Sequence, residues 1–355
     1  MTEEQVTIAI RTDTNEHIAS GHVMRCLSIA DALAELHEQV VFITADAYGR
    51  QLIEDRGFAV ICLDSRWNDM ESETEKIIPE LNRLSPDLLL VDSYQVTPRY
   101  MESLRENVTL AYIDDLNAFD YPADIVINYS VYAEDISYPQ NKRYLLGTKY
   151  APLRRQFDIS EEVLEAAAAK RARNRQILIT TGASDPYHVT DKTVNAIINE
   201  PALDDYSIAV IRGRFFDNDM TGIHPDRVRI YENVENMADL MLESTMAVSA
   251  GGSTLYELCA CHVPTVTFSY ADNQLGNVTG FDRRGIMPYA GDATNDNDLG
   301  KQITQNLLKF HNNPEAQTSV INKMRSLDCG KGAAHLARCV KGTVLFDNFS
   351  QFVMV

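Results

Sequence analysis

Val6-Thr7-Ile8-Ala9-Ile10-Arg11-Thr12-Asp13, then a polar loop, then Gly21-His22-Val23-Met24-Arg25-Cys26-Leu27 is the stretch that decides the fold. Its first five residues are apolar or β-branched, as in a strand covered on both faces. Beyond the loop, Val23, Cys26, Leu27, Ala30, Leu33 and Ala34 recur near every 3.6 residues, which marks a helix with one apolar stripe. Short apolar runs at 6–10, 40–44, 59–63, 88–91, 109–113 and 125–127 repeat the strand signal, with amphipathic stretches between them. Strand and helix in alternation imply a parallel sheet with helices on both faces.

Near 151–175 the pattern changes. Residues 161–175 form an alanine- and charge-rich helix with little apolar periodicity, read as a connector. Strands resume at 177–180, 207–211, 228–231, 246–249 and 265–268, with helical segments at 187–199, 235–243, 253–261, 273–284 and 296–310. The expected division is a Rossmann-like domain at 1–155, a connecting helix at 156–175, a second Rossmann-like domain at 176–340 and a tail at 341–355 with no assigned role. Two α/β doubly wound domains of this kind bring the carboxyl ends of two parallel sheets to one cleft. Ligands of open α/β sheets bind at such ends.

The 355 residues carry 32 basic and 51 acidic side chains, a net charge of -19. That field disfavours nucleic acid and anionic membranes as partners. Cys26, Cys62, Cys259, Cys261, Cys329 and Cys339 sit mostly in apolar runs and lack zinc-ligand spacing, so they read as small buried hydrophobes in a reducing compartment. The polar start Met1-Thr2-Glu3-Glu4-Gln5 has no signal-peptide pattern, and no run reaches the ~18–20 apolar residues of a membrane span. The expectation is a cytoplasmic protein without membrane insertion. Its oligomeric state is not encoded in these patterns.

His22 falls at a helix start, where the imidazole faces the carboxyl end of the sheet. There the positive end of the helix dipole disfavours its protonated form, which suits a general base. A histidine that only caps the helix or bonds a phosphate fits the position as well. Asp13, at the strand tip, either orients the imidazole, binds a sugar hydroxyl or shapes the turn.

In the second half, Ser249-Ala250-Gly251-Gly252-Ser253-Thr254 carries a strand into the helix Leu255-Tyr256-Glu257-Leu258. Glycines allow close backbone approach, and free N–H groups with two hydroxyls would suit a diphosphate. An ordinary tight turn has the same composition. Glu257 is placed to accept a ribose diol or to face solvent. Asp272-Asn273-Gln274 and Thr181-Gly182-Ala183-Ser184-Asp185 likewise follow strands and open helices. Asp217-Asn218-Asp219 and Asp296-Asn297-Asp298 have the D-x-D form but read as solvated loops, so no metal and no cofactor is implied.

The series R-T-D, G-H-V-M-R-C-L-S-I-A, T-G-A-S-D and S-A-G-G-S-T-L-Y-E-L-C-A with D-N-Q resembles the UDP-sugar hydrolases of pseudaminic acid biosynthesis. Those enzymes remove UDP from UDP-2,4-diacetamido-2,4,6-trideoxy-β-L-altropyranose. The resemblance runs from about Val6 to about residue 290, and its second-half motifs are shared with related family 28 glycosyltransferases. It implies a GT-B fold, a UDP-sugar substrate, inverting attack of water at the anomeric carbon, and His22 as base. It also implies ligand contacts at Arg11, Asp13, Gly21, Arg25, Tyr94, Asn128, Tyr150, Arg154, Gly182, Asp185, Gly251, Gly252, Ser253, Thr254, Glu257, Asn273 and Gln274. The chain departs from the family pattern at Ala19, Ser93 and Ala183. A GT-B glycosyltransferase using a UDP-amino sugar, and a non-catalytic nucleotide-sugar binder, are the competing readings.

Overall fold

The computed structural model describes residues 5–18, 20–217, 224–295 and 298–345. The first four residues, Ala19, Asn218 and Asp219, Asp296 and Asn297, and 346–355 of the expected tail lie outside them. The chain divides into two units. One is Met1–Arg154 together with Lys331–Val355, and the other is Arg155–Gly330.

In chain order the first unit contains β1 (Thr7–Thr12), α1 (Gly21–Glu35), β2 (Gln39–Thr44), α2 (Arg50–Glu54), β3 (Ala59–Cys62), α3 (Met70–Leu84), β4 (Leu88–Asp92), α4 (Pro98–Arg105), β5 (Leu110–Ile113), β6 (Ile125–Asn128) and β7 (Arg143–Leu146). All seven strands pair in parallel, in the order β3-β2-β1-β4-β5-β6-β7. The period-2 alternation of each strand divides its side chains between two cores. Ile8, Ile10, Phe42, Leu88 and Leu90 join α1 on one face, while Ala9, Ile43, Leu89 and Val91 join α3 and α4 on the other.

The second unit contains α5 (Glu161–Asn174), β8 (Gln176–Thr180), α6 (Val189–Ile198), β9 (Ser207–Ile211), β10 (Val228–Tyr231), α7 (Met237–Glu243), β11 (Met246–Ala250), α8 (Thr254–Ala260), β12 (Thr265–Ser269), α9 (Asp272–Arg283), β13 (Tyr289–Asp292), α10 (Leu299–Asn312) and α11 (Pro314–Ser326). Its six parallel strands run β10-β9-β8-β11-β12-β13. The final helix, α12 (Gly332–Leu345), returns to the first unit. There Leu336, Ala337 and Val340 are buried in the core that α1 also faces.

Three expectations need correction. Residues 331–340 belong with the first unit, not the second, because α12 completes the apolar face of α1. The segment 161–174 is not a bare connector. Leu164 and Ala167 are buried, and the Arg171 guanidinium donates to the carbonyls of Leu242, Cys261 and His262 at 2.9, 2.6 and 2.9 Å, which ties α5 to the ends of α7 and α8. Strands β7 and β13 go beyond the sequence expectation, since Arg143–Leu146 is four residues opened by a charge and Tyr289–Asp292 contains Gly291 and Asp292.

Candidate active site

Each sheet reverses strand order once, between β1 and β4 in the first unit and between β8 and β11 in the second. Such a switch point leaves a crevice at the carboxyl ends of the two strands, because their following loops turn to opposite faces. His22 follows β1 and Asp92 ends β4, and Thr12 is the register partner of Asp92. The two side chains meet at the first switch point, where His22 Nδ1 lies 2.7 Å from Asp92 Oδ1.

A carboxylate can only accept, so this contact assigns a proton to Nδ1 and leaves Nε2 as the nitrogen turned away from Asp92. Arg25, one turn along α1, grips the same carboxylate, with Nε 2.6 Å from Asp92 Oδ2 and Nη2 on Oδ1. Its Nη1 reaches Asp115 Oδ2 at 2.8 Å and the Tyr129 hydroxyl at 2.7 Å. The strand ends of β1, β4, β5 and β6 thus share one network. Burial pushes the Asp92 carboxyl up, but the Arg25 charge and the hydrogen bonds from Arg25 and His22 outweigh it and hold the group well below the ordinary carboxylate range. Tyr94 stands edge-on to the His22 ring, with centroids 4.5 Å apart, and donates to Asp115 Oδ2 at 2.9 Å. Burial and the Asp115 charge raise its phenol, so it remains a donor. His22 is 8% exposed and Tyr94 40%, so the tyrosine forms the outer wall beside the imidazole.

Several expected ligands turn inward. Arg11 is fully buried, pairs with Glu73 through Nε at 2.8 Å and Nη2 at 2.7 Å, and holds Asp13 through Nη1 at 2.6 Å. Asp13 spends its other oxygen on the Ala45 amide at 2.8 Å. Four of the five N–H donors of Arg25 end on Asp92, Asp115 and Tyr129. Asn128 is buried between the Tyr138 hydroxyl and the Ser130 amide, and Tyr150 packs its ring on the core of α1 and α12. These placements correct the assignment of Arg11, Asp13, Arg25, Asn128 and Tyr150 as direct ligands: their polar atoms or rings are committed to the protein. Arg154 is half-buried at the end of the first unit, and Gly21 is exposed beside His22.

At the second switch point, Thr181 and Gly182 follow β8, and Gly251 to Thr254 follow β11. The two glycines of that turn differ. A Cβ on Gly251 would stand 2.6 Å from Val278 Cγ1 and 2.9 Å from Gln274 Cβ, so the packing of α9 excludes any side chain. Gly252 has open space at its Cβ position and no positive φ, so neither packing nor backbone requires a glycine there. The Thr181 hydroxyl is buried without a hydrogen-bond partner among the described residues. Gly182 has φ +92°, and Tyr270 donates to the Thr181 carbonyl at 3.3 Å. Ser253 and Asn273 are exposed, whereas Thr254 and Glu257 are half-buried at the start of α8. Gln274 accepts the Tyr270 amide at 3.0 Å. Asp185 is corrected: both its oxygens accept amides of α6, from Val189 and Thr190, each at 2.8 Å, so it caps that helix.

Sequence reasoning missed Asp92, Asp115, Tyr129 and Thr181 as site residues. A signal was present, because Asp92 is an acid ending the apolar run 88–91, and Asp115 lies just past 109–113. A charge at the carboxyl end of a buried parallel strand sits where ligands of such sheets bind.

No protein-family model matches the chain. It is 30% identical over 277 residues to an uncharacterized protein of Methanocaldococcus jannaschii, covering 73% of this chain and 54% of that one. It is 24% identical over 295 residues to the spore coat polysaccharide biosynthesis protein SpsG of Bacillus subtilis, covering 78% and 81%. A Helicobacter pylori protein named pseudaminic acid cytidylyltransferase and UDP-2,4-diacetamido-2,4,6-trideoxy-β-L-altropyranose hydrolase is 25% identical over 210 residues, covering 57% of this chain and 37% of that protein. The chain therefore spans about half the length of the archaeal relative and a smaller share of the Helicobacter one. Among solved structures, MurG of Acinetobacter baumannii superposes with a TM-score of 0.68 at 14% identity, over 96% of this chain and all of that one. The spinosyn forosaminyltransferase SpnP superposes with a TM-score of 0.69 at 11% identity, over 97% of this chain and all of that one. Two doubly wound parallel-sheet units and these neighbours give this chain the GT-B glycosyltransferase fold.

Proposed function

We propose that the chain hydrolyses a UDP-diacetamido-trideoxyhexose at the anomeric carbon, releasing UDP and the free amino sugar for nonulosonic acid synthesis. His22 Nε2 takes a proton from water, and the water oxygen bonds to C1 on the face opposite the nucleotide. The bond from C1 to the diphosphate oxygen breaks with its electron pair leaving on UDP, which inverts the anomeric centre. In the second unit the turn at Gly251 to Thr254 has the build of a diphosphate site: Gly252 admits close approach, and at the same switch point the buried Thr181 hydroxyl has no partner among the described residues. No step calls on a metal.

The observation that carries this reading is the His22–Asp92 contact at 2.7 Å, which commits Nδ1 to the carboxylate and leaves Nε2 as the nitrogen able to exchange a proton at a switch point. The name of the Helicobacter relative supports the substrate class. The test is turnover of UDP-diacetamido-trideoxyhexoses in ¹⁸O-water with no acceptor added. UDP release with label on the sugar is expected, and label in a uridine phosphate would mean attack at phosphorus. Transfer is the second reading, with a sugar or lipid hydroxyl replacing water; the solved neighbour SpnP, which shares the fold, is a forosaminyltransferase. UDP release that requires an added acceptor would establish transfer.

A further inference from the structure

Asp115 has two oxygens in unequal circumstances. Its Oδ2 receives both Arg25 Nη1, at 2.8 Å, and the Tyr94 hydroxyl, at 2.9 Å. Its Oδ1 has no bond to any described residue, and the side chain keeps 19% of its surface exposed. The group is therefore an anchored carboxylate with one oxygen open, held by the same guanidinium that grips Asp92.

Charge decides what the open oxygen can accept. Asp92 and Asp115 bring two negative charges and Arg25 one positive. Behind them Asp114 is buried and receives only neutral donors: the hydroxyls of Tyr121 and Tyr138 and the amides of Leu116 and Asn117. This surplus of negative charge repels a phosphate and attracts an N–H or O–H.

We infer that Asp115 is a specificity-determining residue: its Oδ1 accepts a hydrogen bond from an amide N–H or hydroxyl on the sugar ring held beside His22. The inference rests on the functional reading above and extends it to one substituent of the substrate. A fixed carboxylate left without its donor loses a charge-assisted bond, worth about 10–100-fold in affinity or rate. Tyr94, tethered through the other oxygen, keeps the ring wall in place whatever the substituent.

The test compares the full chain with Asp115→Asn on pairs of UDP-sugars that differ at one ring position, an acetamido or hydroxyl group against hydrogen. The readout is kcat/KM for UDP release. Asparagine can still accept from Arg25 and Tyr94 through its carbonyl but turns the open acceptor into a donor. The preference for the donor-bearing sugar over its deoxy match, about 10–100-fold in the wild-type protein, should fall to within about threefold in Asp115→Asn. In the wild-type protein the deoxy sugar alone should show the same loss at that one position. The pH profile of kcat should be unchanged. Equal losses on both sugars would overturn the inference, since Asp115 would then serve only to hold Arg25 and Tyr94. A shifted pH profile would overturn it too, by showing action through His22. Wild-type activity with no dependence on any ring donor sinks this inference alone, whereas a wild-type protein inert on every UDP-sugar sinks the functional reading with it.

Discussion

Asp92 accepts from His22, from two nitrogens of Arg25 and from the Cys26 thiol at 3.4 Å, all with its own side chain buried. Asp92→Asn removes the carboxylate that fixes the imidazole tautomer. UDP release should fall by ~10²–10⁴-fold while circular dichroism shows a folded protein. The same substitution should flatten the acid limb of stability. A carboxyl depressed in the folded state contributes stability at neutral pH, and that contribution disappears as pH falls through the ordinary carboxylate range and below. The second buried pair is structural. Arg11 and Glu73 are both fully buried, and Glu73 also accepts from Tyr100 at 2.6 Å and Ser65 at 2.9 Å. Glu73→Ala removes two of the three carboxylate bonds of the buried Arg11 guanidinium and should cost about 3–5 kcal/mol in urea unfolding. Glu54→Ala, which breaks the exposed Arg50–Glu54 pair, should cost under about 0.5 kcal/mol.

Among the elements, the turn from β11 into α8 separates packing from binding within two adjacent residues. Gly251→Ala meets Val278 and Gln274 of α9 and should destabilise the protein by about 1–3 kcal/mol. Gly252→Ala meets nothing, so its midpoint should stay within about 0.5 kcal/mol, while UDP affinity by calorimetry falls about tenfold if the diphosphate lies against that backbone. Equal UDP affinity would remove the diphosphate from this turn. The sequence showed this element's type and borders to within a residue, because a β-rich run followed by two glycines and a serine is a local signal. It could not tell which glycine serves packing, since that depends on α9, more than twenty residues away. For the same reason Arg11 and Arg25 read as ligands: an arginine on a strand end or in the first turns of the helix after it is identical in sequence whether its partner is substrate or a carboxylate 62 or 67 residues on.

Across the whole molecule, the two strand alternations were readable because period-2 and period-3.6 patterns are set residue by residue. The return of α12 to the first unit was not. Its apolar residues announce a helix face, but nothing local names α1 as the surface that covers it. A global consequence concerns pH. Burial pushes the His262 imidazole down to about 4, with the Arg325 charge adding to the effect. The unfolded chain keeps a value near ~6.5, so between these two it binds more protons than the folded chain. Stability from this site is full near neutrality and is lost as pH falls from about 6.5 to about 4. His262→Gln should flatten that slope in urea midpoints taken across the range.

The dyad at the first switch point is tested most directly by a double-mutant cycle on UDP release, with His22→Asn, Asp92→Asn and both together. If Asp92 acts through the imidazole, the double variant should be no slower than His22→Asn alone, because a carboxylate with no ring to orient has nothing left to contribute. Losses that multiply would contradict the account, since they would mean that the two residues serve the reaction independently.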